Sequence, residues 1–187
     1  MQIIWHGQFC FELIINQNKK QGPVNLVIDP IAKKRFRPDI LLFTHKPFET
    51  QRIKSSPFII TGPGEYEIKG IFIQGINSQS EKEENTIYTI TAEQIQLCHL
   101  GKLNQDELNE QQVEKIGRTD VLFIKPQETL KVIHQIEPKI IIPMSYEKID
   151  RFLKAMGEKS VEPLNKLSLR SKDLKEEEKM KIIVLKP

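Results

Sequence analysis

Histidine and cysteine are the residues of this chain best suited to chemistry, and there are few of them. The four histidines are His6, His45, His99 and His134, and the two cysteines are Cys10 and Cys98. A thiol beside an imidazole can become an activated nucleophile, so Cys10 with His6 or His99 is one arrangement to consider. Both cysteines lie in apolar, strand-like runs without a C-x-x-C spacing. We therefore interpret them as reduced, buried core residues.

Glu65 and Glu67 form a second candidate pair, because two neighbouring carboxylates can divide acid and base roles. They follow Pro63 and Gly64, and the composition of segment 61–65 is typical of a turn. The chain has no glycine-rich segment with the Lys-Ser/Thr that forms a phosphate-binding loop. None of these patterns assigns an activity by itself.

The composition excludes several classes of protein. The chain has 187 residues, of which 39% are hydrophobic, and 28 basic residues against 25 acidic ones leave a net charge of +3. That excess is too small to predict a nucleic-acid or membrane-surface protein. No run approaches the roughly 20 apolar residues of a membrane helix, and the first residues lack a signal-peptide pattern. We expect a cytoplasmic protein with a single domain over residues 1–187.

The elements that must position these residues change in kind along the chain. Short strands separated by turn residues fill the first hundred residues, and the polar tract 77–85 is predicted to be a solvated loop. Strands and helices then alternate. Helices are predicted over 104–117 and 128–136 and from Ser145 to 157, with Asn104 and Ser145 as N-caps. This order predicts two sheets packed face to face with helices outside.

Several segments together resemble the metallo-β-lactamase superfamily, in particular its short "Zn-dependent hydrolase of the β-lactamase fold" branch. The opening segment Ile4-Trp-His-Gly-Gln-Phe-Cys-Phe11, the pair Asp29-Pro30 and the segment Asp39-Ile-Leu-Leu-Phe-Thr-His45 resemble three motifs of that branch. The other matching segments follow in the expected order: Gly62-Pro-Gly-Glu-Tyr-Glu67, Asn85-Thr-Ile-Tyr88, His99-Leu-Gly101, Thr119-Asp-Val-Leu122 and Ile142-Pro-Met-Ser-Tyr146. The resemblance implies a four-layer αββα sandwich of α+β or α/β class with two mixed, mostly antiparallel sheets. Edge strands of such a sandwich would allow a homo-oligomer.

The family holds one or two metal ions between its sheets, but most of the implied ligand positions are substituted here. His45 matches the first histidine of the T-H-x-H-x-D-H loop, while the later ligands of that loop fall on Pro47, Glu49 and Thr50. A further histidine falls on or near Ser80, the aspartate after H-L-G is Lys102, and the histidine of I-P-M-H-Y is Ser145. The resemblance also implies that Glu65 and Glu67 lie in a structural corner and that Cys10 is a packing residue.

Lys102 is the most informative of these substitutions. An ammonium group has three donors and no acceptor, and its positive charge repels a cation. We hypothesise that Lys102 replaces the charge of the metal and pairs with Glu49; the alternative is that it points to solvent. Ser145 is interpreted as a helix cap, and His45 and His99 as hydrogen-bonded structural residues.

The sequence thus favours a catalytically degenerate, metal-free member of this fold that acts as a binding or interaction protein of unknown partner. The pocket positions carried over from the family are His45, Glu49, Thr50, Ser80, Lys102 and Ser145. The main alternative is a zinc- or manganese-dependent hydrolase with a reduced site, whose ligands would be His45, Glu49 and His99. A metal-free enzyme using Lys102 or Glu49 is a third interpretation.

Overall fold

A computed structural model describes residues 1–16, 22–46, 53–79, 84–126, 130–175 and 179–187. The strands are β1 (Gln2–Trp5), β2 (Phe11–Ile15), β3 (Val24–Ile28), β4 (Ile40–Leu42), β5 (Phe58–Ile60), β6 (Gly64–Ile68), β7 (Ile71–Gln79), β8 (Glu84–Ala92), β9 (Ile95–His99), β10 (Val121–Ile124), β11 (Ile140–Pro143), β12 (Leu167–Ser168) and β13 (Lys181–Ile182). The helices are α1 (Glu110–Ile116), α2 (Leu130–Ile136), α3 (Asp150–Ala155) and α4 (Ser171–Lys175). Within these ranges no helix is long and apolar enough to cross a membrane.

The strands form two mixed sheets. One sheet has the order β12-β1-β2-β3-β4-β5, and the other has the order β13-β11-β10-β9-β8-β7-β6. Neighbours are antiparallel from β12 to β3 and from β9 to β6, and parallel from β3 to β5 and from β13 to β9. The predicted face-to-face sandwich of mixed sheets is confirmed.

The main core lies between the two sheets. Strand β2 alternates buried and half-buried side chains, so Phe11, Leu13 and Ile15 all face inward. The Phe11 ring meets Phe123 of the opposite sheet with a centroid separation of 4.4 Å. This contact between β2 and β10 holds the layers together beside the end of the sandwich where the candidate site lies.

Helices cover the outer face of the longer sheet. Leu122 and Ile141 point away from the inter-sheet core and pack with Ile116, Val132 and Phe152 from α1, α2 and α3. On the other side, Phe36 covers Val27 and Leu41. Among the described residues, the loop after β3 thus covers the outer face of the sheet that contains β3 and β4. The sequence of this loop is rich in proline and lysine and lacks the apolar stripe of a helix.

Two predicted helix starts are wrong. Helix α1 starts at Glu110, because Asn109 and Gln112 form a reciprocal capping box. The sequence pattern had predicted Asn104 as the N-cap. Ser145 has a φ of 52° and precedes α3 by several residues, and the cap position of α3 is Ile149, which makes no side-chain cap bond. The left-handed backbone of Ser145 is incompatible with the extended conformation of an N-cap.

The predicted solvated loop over 77–85 is also largely wrong. Strands β7 and β8 extend to Gln79 and from Glu84, and they pair as far as these two residues. Ser78 and Asn85 are buried. Their side chains bond to each other, because Asn85 Nδ2 donates to Ser78 Oγ at 2.6 Å. A polar segment can therefore form buried strand here instead of a solvated loop.

Candidate functional site

A pocket of about 640 Å³ opens where several strands end. Its walls come from the segments that follow β1, β3, β4 and β9, so it lies at one end of the sandwich and receives residues from both sheets. The polar and charged side chains that line it are His6, Gln8, Asp29, Lys33, His45, Lys46 and Lys102. Of the sequence-predicted site residues, His45 and Lys102 are brought together here.

Asp29 lies at the base of this pocket immediately after β3. Its side chain is buried, and it accepts hydrogen bonds from the backbone N–H of Thr44 (2.8 Å) and from the Thr44 hydroxyl (2.6 Å). Burial raises the pKa of Asp29 to about 7, against the opposing effect of the two Thr44 hydrogen bonds and the positive charge of Lys102. The Asp29-Pro30 pair was recognised as a motif, but its role in the pocket was not predicted.

His45 is oriented by the same threonine. Its Nδ1 lies 2.9 Å from Thr44 Oγ1 and 3.7 Å from Asp29 Oδ2. Because the Thr44 hydroxyl proton is donated to Asp29, Thr44 Oγ1 acts as acceptor toward His45, which places the imidazole proton on Nδ1. The His45 ring also meets Phe9 edge-on at 6.0 Å. The interpretation of His45 as a hydrogen-bonded residue agrees with this geometry.

His99 is a buried residue with both ring nitrogens engaged. The Gly101 backbone N–H donates to Nδ1 at 3.1 Å, and Nε2 donates to the Phe9 carbonyl at 3.1 Å. Burial lowers the pKa of His99 to about 3, so the ring is neutral. A metal ligand needs a free nitrogen lone pair, and the only lone pair of this ring accepts from Gly101. This geometry does not favour His99 as a metal ligand, and the alternative ligand set that includes it stays a prediction.

Lys102 is half-buried and lines the pocket. Its backbone N–H donates to Asn85 Oδ1 at 2.8 Å, while Asn85 Nδ2 donates to the Leu100 carbonyl at 2.9 Å. Its charge lowers the pKa of Asp29, which places the ammonium within electrostatic reach of that carboxyl. The alternative that Lys102 points only to solvent does not fit this position, and the pairing with Glu49 stays a prediction because Glu49 lies outside the described residues.

Ser145 is the one remaining predicted position that falls within the described residues. Thr50 and Ser80, like Glu49, lie outside the described residues. Ser145 is half-buried, is not part of the pocket lining, and uses its backbone N–H to donate to the Gln8 carbonyl at 3.1 Å. Its structural role is thus to hold the Gln8 loop against the end of β11.

Sequence reasoning missed Thr44, Asn85, Lys33 and Lys46. Thr44 and Asn85 both fall inside segments that matched family motifs, which was the available signal. Lys33 belongs to a basic run after Asp29-Pro30, and Lys46 follows His45 directly. Nothing in the sequence alone places these two lysines at one pocket, because they come from segments that follow different strands.

The described side chains do not fit a metal ion. Across the described part of the chain, no group of three or more His, Cys, Asp and Glu residues is arranged to hold one. His99 offers no free lone pair, and Lys102 brings a positive charge to the pocket. Asp29 and His45 are the two lining residues that carry metal-binding groups and lie close together, and both already bond to Thr44.

Comparison with known proteins agrees with this architecture. The sequence profile described as "Beta-lactamase superfamily domain" matches residues 2–145. This chain belongs to that family. A search of curated proteins found no match.

Solved structures of the metallo-β-lactamase superfamily fold are similar over nearly the whole chain. A candidate Zn-dependent hydrolase of this superfamily from Thermotoga maritima is 29% identical with a TM-score of 0.82, covering 98% of this chain and 97% of the other. A candidate metal-dependent hydrolase from Veillonella parvula is 11% identical with a TM-score of 0.67, covering 90% and 99%. The metallo-β-lactamase fold protein YhfI from Bacillus subtilis is 6% identical with a TM-score of 0.61, covering 98% and 95%. The last two similarities concern the fold alone.

Proposed function

We propose that this chain is a catalytically degenerate, metal-free member of the superfamily that acts as a binding protein through the pocket at the end of its sandwich. The observation that carries this proposal is the position of Lys102 in the pocket, within electrostatic reach of Asp29. By the family resemblance, the same position holds a metal-binding aspartate in active relatives. A ligand position has therefore exchanged a negative charge for a positive one.

Electrostatics supports this interpretation. At an effective dielectric of 20, a cation about 4 Å from an ammonium group is repelled by about 4 kcal/mol for each unit of its positive charge. A divalent cation in the pocket would have to overcome this repulsion with few ligands. The nearby polar groups already have protein partners, since Thr44 satisfies Asp29 and His45, and Gly101 and Phe9 satisfy His99.

The rival function is a zinc- or manganese-dependent hydrolase with a reduced site. It is favoured by the similarity to the candidate Zn-dependent hydrolase from Thermotoga maritima and by His45, which matches the first histidine of the metal loop in the family resemblance. Such a site would rest mainly on His45 and Glu49, because both ring nitrogens of His99 are engaged by Phe9 and Gly101. It would have to function beside the ammonium of Lys102.

Thermal unfolding distinguishes the two functions, because a ligand that binds only the native state raises Tm. Chelator-treated protein should unfold at the same temperature with and without stoichiometric Zn²⁺ or Mn²⁺. His45→Gln is the matched variant, since it removes the one family ligand that is kept. A metal-induced rise in Tm that disappears in His45→Gln would refute the metal-free proposal and support the hydrolase.

A further inference from the structure

We infer that Asn85 is a positioning residue of the pocket: it fixes the turn that carries Lys102 relative to the segment that carries His45. This inference goes beyond the proposed function, because it concerns how the two walls of the pocket are held together and applies whether or not a metal ion binds there. It follows from the contacts that residues 85–88 of β8 make with both walls.

The buried side chain of Asn85 uses both of its polar atoms in hydrogen bonds. Its Oδ1 accepts from the Lys102 backbone N–H at 2.8 Å, and its Nδ2 donates to the Leu100 carbonyl at 2.9 Å and to Ser78 Oγ at 2.6 Å. Two of these three bonds go to the backbone on either side of Gly101. The Asn85 side chain therefore bridges the first and last residues of the turn after β9.

The same strand also holds the opposite wall of the pocket. The Thr86 backbone N–H donates to the Thr44 carbonyl at 2.7 Å, which links β8 of one sheet to the segment that follows β4 in the other sheet. The Tyr88 hydroxyl lies 3.2 Å from the Phe43 carbonyl oxygen. Phe43 and His45 both line the pocket. Strand β8 thus anchors the backbone from which the His45 side chain projects.

The two walls meet next to Asn85. A Cβ added to Gly101 would contact Asn85 Oδ1 and would lie 2.7 Å from Thr44 Cβ, so the turn, β8 and the segment after β4 are closely packed at one point. The Thr44 hydroxyl in turn contacts Asp29 and His45. A displacement of the turn at Asn85 should therefore reach His45 through the Thr44 side chain.

Loss of the Asn85 side chain would remove the partners of two backbone groups in this turn, the Lys102 N–H and the Leu100 carbonyl. Backbone groups in packed structure are nearly always paired, because an unpaired group costs the free energy of its lost hydration. The turn must then move or admit water. Either response changes the backbone from which the Lys102 side chain enters the pocket, so Asn85 positions the pocket as well as stabilising the fold.

Amide hydrogen exchange of the chelator-treated full chain, followed residue by residue by NMR, tests this role. In Asn85→Ala the Lys102 amide should exchange at least tenfold faster than in the wild type, and the ring signals of His45 should shift. Asn85→Asp keeps an acceptor oxygen at the same position, so it should largely restore the protection of the Lys102 amide. A purely structural role would lower Tm without changing these signals in the native state.

Ser78→Ala is the matched control. It removes one hydrogen bond of Asn85 Nδ2 and leaves the bonds to Lys102 and Leu100 in place. The Lys102 exchange rate and the His45 ring signals should keep their wild-type values, even if Tm falls. Equal changes in Ser78→Ala and Asn85→Ala, no change of these signals in Asn85→Ala, or exchange in Asn85→Asp as fast as in Asn85→Ala would overturn the inference.

A measurement on the wild-type chain covers the case in which Asn85→Ala does not fold. A scalar coupling across the hydrogen bond, between the Lys102 amide nitrogen and the Asn85 side-chain carbonyl carbon, should be observed in the wild type and in Ser78→Ala. Its absence from the wild type would overturn the inference. Because these spectra are recorded without metal, a metal-induced rise in Tm would refute the metal-free function and leave the role of Asn85 standing.

Discussion

Asp29 illustrates how one residue of the pocket affects the whole chain. Its carboxyl group is buried under the site and is held by two hydrogen bonds from Thr44. The pKa of Asp29 rises from its usual 3.8 to about 7 because burial disfavours the charged form. The native state therefore holds a proton on Asp29 over a pH range in which the unfolded state has released it.

This shift predicts a pH-dependent contribution to stability. A raised native pKa gives a contribution that is fully present below pH 3.8 and is lost as the pH rises to about 7. Comparing the wild type with Asp29→Asn isolates this effect, because the variant keeps every other titrating group. The wild-type advantage in unfolding free energy should fall between pH 5 and 7, by at most about 1.4 kcal/mol per pH unit.

Urea denaturation at pH 5, 6 and 7 measures this difference. A gap between wild type and Asp29→Asn that stays constant over the range would show that Asp29 titrates normally. A gap that widens with rising pH would mean that the native pKa is lowered instead, through a closer ion pair than the structure shows.

At the scale of elements, the turn after β9 fixes the position of Lys102. Gly101 has a φ of 62°, and a Cβ at this position would meet Asn85 Oδ1 and would lie 2.7 Å from Thr44 Cβ. Asn85 in turn accepts from the Lys102 backbone N–H. The glycine thus permits close contact between the β9 turn, strand β8 and the Asp29–Thr44 pair.

Gly101→Ala should destabilise the chain by about 3 kcal/mol, because the strain of a left-handed alanine is added to steric overlap in a packed site. Gly157→Ala is the matched control, since Gly157 has a φ of 81° but no atom within 4 Å of the position that an added methyl group would take. That variant should lose only about 1 kcal/mol. Equal losses in chemical denaturation would show that the turn is not tightly packed against Thr44 and Asn85.

The sequence was sufficient for the elements that have strong local or family signals. The apolar strands and the order of sheets and helices were predicted. The capping box of α1 was misplaced because the pattern Asn-x-x-Glu/Gln occurs both at Asn104 and at Asn109. Asn85 was missed because a buried polar residue inside a polar tract resembles a loop until its long-range partners are known.

At the scale of the whole molecule, the chain keeps the sandwich of its superfamily, and the proposed function changes the chemistry at its pocket. The similarity to the Thermotoga maritima protein covers nearly all of both chains. The described lining of the pocket includes the ammonium of Lys102, and the described part of the chain contains no group of three or more His, Cys, Asp and Glu residues arranged to hold a metal ion. A fold can keep its packing when its site changes, because the core contacts lie in the layers and the site lies in the segments that follow strands.

The proposed function requires that this pocket works without a metal ion. The most direct measurement is the metal content per chain, by inductively coupled plasma mass spectrometry, of protein produced with added Zn²⁺ and Mn²⁺ and purified without chelator. We expect less than about 0.1 equivalents of either metal per chain, with no change in His45→Gln. About one equivalent of zinc or manganese, reduced in His45→Gln, would contradict it.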